Sequence, residues 1–256
     1  MDFSWLNESE LKREEEGKLV IFAPAGTDFF CNNGTVSEEG ITPESLHNAP
    51  YYYTEIEGDF VLTVKVSHDF KDIYDSSSLM VMEDLDNWAK SCFEKTDFGT
   101  HAAVSVVTKQ GYSDDANGSN ISGNTAWLKI CRVKNSFAFH YSEDGIHYFM
   151  TRFFNLSGKK TVKVGLLAQA PQGNGGNRIY EDLHIEKKEY PLRRMKYPEF
   201  FYFKRSRTVR LLFSLPVDIS YNSREQQRSV LPRNKKQEWT IQYEIDFVVR
   251  DFCCGF

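Results

Sequence analysis

A chain of 256 residues, 41% hydrophobic and 26% charged, has the composition of a globular protein and is long enough to bury a full core. Its 31 basic and 36 acidic residues leave a net charge of −5, which argues against a nucleic-acid-binding core. No stretch approaches the roughly 18 uninterrupted apolar residues of a membrane span. The opening run Met1 to Gly17 lacks the basic start and apolar segment of an export signal, so the cytoplasm is the expected location.

Taken in chain order, short extended segments alternate with turn signals. Strands are expected at Lys18–Ala23, Phe60–Val66, Ser78–Met82, Ala102–Thr108 and Ala126–Val133. Further ones follow at Ser136–Tyr141, Tyr148–Phe153, Thr161–Ala168 and Ile179–Glu186. Between them lie Glu57-Gly58-Asp59, the polar run Gln110–Asn124 and the segment Pro171–Asn177, all read as turns or loops. The aromatic content of 14% favours strands, and no amphipathic helix of useful length is visible. Many short strands without intervening helices mean a two-sheet sandwich or a barrel. Asp144-Gly145, flanked by alternating aromatics from Phe137 to Phe149, predicts a tight structural hairpin with His140 and His147 at the surface.

A composition break falls near Tyr190-Pro191. Residues 191–256 carry 13 Lys/Arg against 7 Asp/Glu, a net of +6, which leaves 18 basic and 29 acidic residues upstream, a net of −11. Residues 1–190 are therefore expected to form one domain that folds on its own, and 191–256 a short basic, aromatic-rich extension. Strands are expected there at Val209–Leu215 and Trp239–Val249. Cys31, Cys92, Cys131, Cys253 and Cys254 follow neither a disulfide framework nor a zinc spacing, so free thiols and no metal are expected.

Two segments repeat the pattern Trp-x-Lys-x-Cys, at Trp88–Cys92 and Trp127–Cys131. Strand alternation puts Trp88, Lys90, Cys92 and Glu94 on one face, and Trp127, Lys129 and Cys131 on one face of theirs. The opposite faces carry Ala89, Ser91, Phe93, Leu128 and Ile130, which suit a core. Indoles that cover a sugar's C–H face, with charged groups to fix its hydroxyls, are what a carbohydrate site requires. The same residues equally suit cross-strand ion pairs on a solvated sheet. If the two faces form one groove, Trp88→Ala is expected to weaken ligand binding while costing far less stability than Ile130→Ala.

Glycoside hydrolysis needs two carboxyl groups across one bond. The single-strand string Glu-x-Asp-x-Glu is absent; Glu55-Ile-Glu57-Gly-Asp59 and Glu83-Asp-Leu-Asp86 do not match it. Asp75 with Glu94 is a conceivable pair from separate strands.

Several short motifs occur in a fixed order: Trp5-Leu-Asn7, Thr27-Asp28-Phe29-Phe30, Tyr74-Asp75 with Leu79-Met80, and Trp88-x-Lys90 with Glu94. Ser105–Thr108, Ser113-Asp114, Ser142-Glu-Asp144-Gly145 and Val164-Gly-Leu166 before Ala170-Pro171 complete the series. In this series, over residues 3–188, the chain resembles a concanavalin A-like domain of unknown function. That domain is shared by fungal "regulation of enolase" proteins and bacterial proteins of polysaccharide-utilisation clusters. Phe30, Ser78 and Cys92 depart from the family's usual Trp, Gly and Gly. The resemblance implies an all-β jelly-roll sandwich of two antiparallel sheets with a polar concave face. It also implies a carbohydrate-like ligand or a metabolic enzyme, enolase, as partner. The expected ligand-binding residues are Tyr74, Asp75, Trp88, Lys90, Glu94, Trp127 and Lys129, with no catalytic residue, metal or cofactor. A non-catalytic cytosolic binding or regulatory protein, without nucleic-acid or membrane partners, is the leading expectation. A glycan-active enzyme using acids of the concave face is the alternative.

Overall fold

Alternating apolar residues dictate the architecture. In the computed structural model, which describes residues 1–15, 17–32 and 45–188, the chain begins with β1 (Ser4–Leu6), β2 (Leu11–Glu15), β3 (Lys18–Ala23) and the short β4 (Phe29–Phe30) and β5 (Leu46–His47). Then come β6 (Tyr51–Glu57), β7 (Asp59–His68), β8 (Ser76–Asp84), β9 (Asn87–Lys95), β10 (His101–Lys109) and β11 (Tyr112–Asn120). The series closes with β12 (Thr125–Val133), β13 (Ser136–Ser142), β14 (Phe149–Asn155), β15 (Thr161–Gln169) and β16 (Gly176–Lys188). No described helix is long and apolar enough to cross a membrane. The strands and the Cys253-Cys254 pair expected within 191–256 lie outside the described residues.

Two seven-stranded antiparallel sheets stack face to face, giving the all-β sandwich of the concanavalin A-like kind. The first runs in the order β1-β6-β15-β8-β9-β10-β11, the second β14-β13-β12-β7-β16-β3-β2. Phe60, Leu62, Val64 and Val66 of β7 alternate into the space between the sheets, with Leu128 and Ile130 of β12 beside them. Leu79, Val81, Ala89, Phe93 and Val107 meet them from the first sheet. Each fully buried aliphatic or aromatic side chain contributes roughly 1.5–3 kcal/mol, so this layer dominates stability.

A second apolar layer lies on the other side of the first sheet. Phe29, Cys31 and Ala49, from the segments around β4 and β5, pack with Met80, Met82, Trp88, Val106 and Leu167. This layer decides the environment of the candidate site, because it takes what would be a solvated sheet surface out of water.

Nine expected strands are present with boundaries close to those read from the sequence. The polar run at 110–124 is a correction: it contains β11, an exposed edge strand whose side chains show no apolar alternation. His140 is also corrected, being 3% exposed rather than at the surface, whereas His147 is exposed.

The β13–β14 connection is built on Asp144, whose carboxylate accepts hydrogen bonds from the Ile146 and His147 backbone N–H groups at 2.8 Å each. Gly145 adopts φ = 75° and lies so close to Trp127 that an added Cβ would sit 2.9 Å from the indole. Gly145→Ala is therefore expected to cost about 1–2 kcal/mol through backbone strain and displacement of Trp127. Urea unfolding followed by tryptophan fluorescence measures it, and an unchanged midpoint would contradict it.

Candidate functional site

The outer face of the first sheet is a grid set by strand register. Met80, Lys90, Val106 and Asp115 stand side by side on β8, β9, β10 and β11. Ser78, Cys92 and Val104 form the next row, and Ser76, Glu94 and Ala102 the one beyond it. The alternation is as expected, since Ala89 and Phe93 point into the inter-sheet core while Trp88, Lys90, Cys92 and Glu94 point away from it.

Those outward residues are not solvated. Trp88 is wholly buried, its ring edge-on to Phe29 at 5.7 Å, and its Nε1 donates to the Leu85 carbonyl at 3.1 Å. The expectation of an open indole platform is thereby corrected: Trp88 is a packing residue of the second apolar layer. Trp127 and Lys129 lie on β12 of the second sheet, and so do not share a groove with Trp88. Lys129 is buried beneath Tyr148, its Nζ 3.6 Å from the ring centroid. The repeated Trp-x-Lys-x-Cys pattern marks outward faces of two different sheets.

Asp75 also leaves the cluster. It is fully buried, with Oδ1 2.7 Å from Nη2 of Arg178 on β16 and Oδ2 accepting from the Asp72 N–H. A carboxylate pair of Asp75 with Glu94 is not formed for catalysis, because Asp75 is committed to that internal ion pair. Tyr74, held at φ = 65°, remains half-buried near Glu94.

What the fold does bring together is Lys90, Glu94, Asp28, Gln169 and Asp115. Lys90 is 2% exposed, and its Nζ donates to Asp28 Oδ1 at 2.8 Å and to Gln169 Oε1 at 2.9 Å. Burial alone would drive off the Lys90 proton, but the neighbouring negative charge, with Asp28 foremost, outweighs it and holds the ammonium charged. Glu94 is 6% exposed and has no hydrogen bond to its carboxyl group among the described residues. Burial pushes its pKa well above the ordinary carboxyl range; Lys90 pulls it back, while Asp115, Asp28 and Asp97 push it further up. Burial likewise raises Asp115, at the solvent-exposed rim of this face, and pushes the Cys92 thiol up to about 12. Tyr74 is raised by burial and then by Asp97, Glu94 and Asp115.

Beside this cluster, Cys31 Sγ lies 2.8 Å from His47 Nε2, with the thiol raised by burial. Cys31, Cys92 and Cys131 are free and buried. Among the described residues, no group of three or more His, Cys, Asp or Glu has the arrangement to hold a metal ion.

Asp28, Gln169 and Asp115 were not among the residues singled out from the sequence. Asp28 occurs in the Thr27–Phe30 motif, which was its one signal. Asp115 sits in a polar run without periodicity, and Gln169 at a strand end.

Comparison with solved structures places the fold. A functionally unknown protein from Saccharomyces cerevisiae superposes with a TM-score of 0.64 at 23% identity, covering 73% of this chain and 97% of that one. The Bacteroides ovatus xyloglucan PUL protein GH43B gives 0.54 at 13%, covering 68% of this chain and 34% of that one. The xylan β-1,4-xylosidase of Bacillus halodurans gives 0.52 at 12%, covering 66% and 33%. This chain thus spans about a third of the hydrolases it resembles, and the likeness is one of fold. It still corrects the leaning against an enzyme, since glycoside-hydrolase chains carry this fold and the sandwich gives no ground for excluding catalysis. No curated protein matches the chain. Residues 5–188, from Trp5 through the last described strand, match the family described as "Protein of unknown function (DUF1349)", and the chain belongs to that family.

Proposed function

We propose that this chain is a glycan-active β-sandwich that seats a saccharide on the outer face of its first sheet, with Glu94 as the proton donor to a glycosidic oxygen. The observation that carries this reading is Glu94 itself, a residue 6% exposed, without a hydrogen bond to its carboxyl group among the described residues, whose pKa is raised first by burial and then by neighbouring carboxylates against the pull of Lys90. A carboxylic acid that keeps its proton near neutrality is what leaving-group protonation requires. Asp115, on the same face, supplies the second carboxyl group, and Tyr74 and Lys90 supply polar contacts for hydroxyls. Asp28 and Gln169 fix the Lys90 ammonium in position. Burying such a charged group lowers stability unless something is gained, which is why perturbed clusters of this kind mark functional sites. The hydrolase structures that share the fold support a glycan as the ligand class. The domain boundary near residue 190 is part of the proposal, supported by the family match ending at 188.

The test is hydrolysis of a panel of aryl glycosides and oligosaccharides by the full chain, with Glu94→Gln alongside. We expect turnover of at least one glycan and a loss of about 10²–10⁴-fold in kcat for the variant. Because the acid works from its protonated form, kcat should fall as pH rises through the elevated pKa of Glu94. Unchanged turnover in Glu94→Gln, or no saccharide cleaved at all, would overturn the proposal. The link to enolase rests on the resemblance alone, and purified enolase enters the same binding assays as a separate candidate partner.

A further inference from the structure

The edge strands of a sandwich turn half of their backbone N–H and C=O groups outward, and folded chains guard such edges with charge or keep them short. The two seven-stranded sheets have four edges: β1 and β11 in the first, β14 and β2 in the second. β1 is three residues long. β11 carries Asp114 and Asp115, and β2 has the sequence Leu-Lys-Arg-Glu-Glu. β14, with the sequence Phe-Met-Thr-Arg-Phe-Phe-Asn from Phe149 to Asn155, has neither guard. Its one charged side chain, Arg152, is taken by Asp114 of the same chain, Nη2 to Oδ2 at 2.8 Å. We infer that β14 is a self-association edge, on which β14 of a second copy of this chain pairs antiparallel and joins the two second sheets into one. The inference stands apart from the saccharide reading, which concerns the first sheet.

The edge is held ready for a partner. Phe154 stacks on Phe137 at 5.5 Å and packs on Phe139 at 4.7 Å, and Thr151 Oγ1 donates to the Phe139 carbonyl at 3.2 Å. Among the described residues β14 pairs with β13 alone. Phe149 is 57% exposed, Met150 47% and Phe153 36%, with Ile146 at 73% in the connection that leads into the strand. At roughly 200 Å² per side chain they present about 400 Å² of apolar surface, the size of patch that marks an interaction site. The bulge that inserts Thr151 is a usual deterrent to edge pairing, but here exposed apolar side chains stand on both sides of it. A charged peptide would find no free counter-charge on β14, whereas an identical neutral strand meets it without repulsion and gives the isologous contact of a two-fold dimer. Two such patches amount to about 800 Å² before the backbone ladder is added, below the roughly 1,200 Å² of a stable interface, so the dimer should be reversible.

The experiment is sedimentation equilibrium of the full chain from about 1 to 200 µM, with Met150→Lys/Phe153→Lys alongside. We expect a reversible monomer–dimer transition with a Kd of about 1–100 µM, weakened at least about tenfold in the variant. Met150→Lys alone takes its place if the double variant does not fold. Amide hydrogen exchange at low and high concentration reads the edge without any substitution: protection should rise at 149–155 and not in β2 or β11. A chain that stays monomeric to about 200 µM would overturn the inference, as would a dimer that the lysines leave unchanged. Concentration-dependent protection confined to another edge would place the contact there and overturn it too.

Discussion

Trp88→Ala is expected to destabilise the protein by about 3–5 kcal/mol, the range for deleting a fully buried aromatic side chain. Strand alternation correctly turns Trp88 away from the inter-sheet core, which would make it a ligand platform if that face were open. It is closed: Phe29, Tyr51, Met80, Met82 and Leu167 surround the indole, and its N–H is satisfied by the Leu85 carbonyl. Truncation would leave a cavity bounded by these side chains and strand the carbonyl. Ile130→Ala, in the inter-sheet layer, should cost a comparable 2–5 kcal/mol or thereabouts. Urea denaturation of the two variants of the full chain compares them directly. A loss below about 1 kcal/mol for Trp88→Ala would mean that the second apolar layer does not form.

The difference between that expectation and the one read from the sequence shows what local pattern encodes. Period-two alternation reports which side of its own strand a residue occupies, and on that question β9 and β12 are as the sequence indicates. Ala89 and Phe93, like Leu128 and Ile130, all point into the same core. Alternation carries no information on which sheet a strand joins. β9 pairs with β8 and β10, whereas β12 pairs with β7 and β13, so two nearly identical segments sit in different sheets. Nor does it show when a distant segment folds over a face. Asp28 reaches Lys90 from 62 positions earlier in the chain, and Gln169 reaches it from 79 positions later. The polar character of the site was legible in Lys90 and Glu94; its enclosure and the Asp28 and Asp115 carboxyl groups were not.

Lys90 and Arg178 are both buried cations, but their partners differ in what they leave over. Around Arg178, the Gln169 carbonyl accepts from Nε and Nη2, and Asp75 supplies the counter-charge. Around Lys90, an ion pair with Asp28 is formed and Glu94 stands beside it without a hydrogen bond to its carboxyl group among the described residues.

Arg178→Ala should therefore be as damaging as the loss of Trp88, about 3–5 kcal/mol, through a different mechanism. The Arg178 guanidinium is fully buried and lies 2.7 Å from Asp75 Oδ1. Its Nε and Nη2 donate to the Gln169 carbonyl at 3.1 and 2.9 Å, and Nη1 lies 3.8 Å from Asp69. Burial lowers the Arg178 pKa while Asp75 supports its charged form, as expected for an internal pair. Removing the cation alone would leave the Asp75 carboxylate inside the protein without a counter-charge, which is the costly half of breaking a buried salt bridge. Adding Asp75→Asn to Arg178→Ala should recover part of the loss, by about 1–2 kcal/mol, because it removes the stranded charge. A double-mutant cycle by chemical denaturation supplies all four stabilities. If Arg178→Ala costs under about 1 kcal/mol, or if Asp75→Asn worsens it additively, the two residues are not coupled. In that case Asp75 would be available for ligand binding after all.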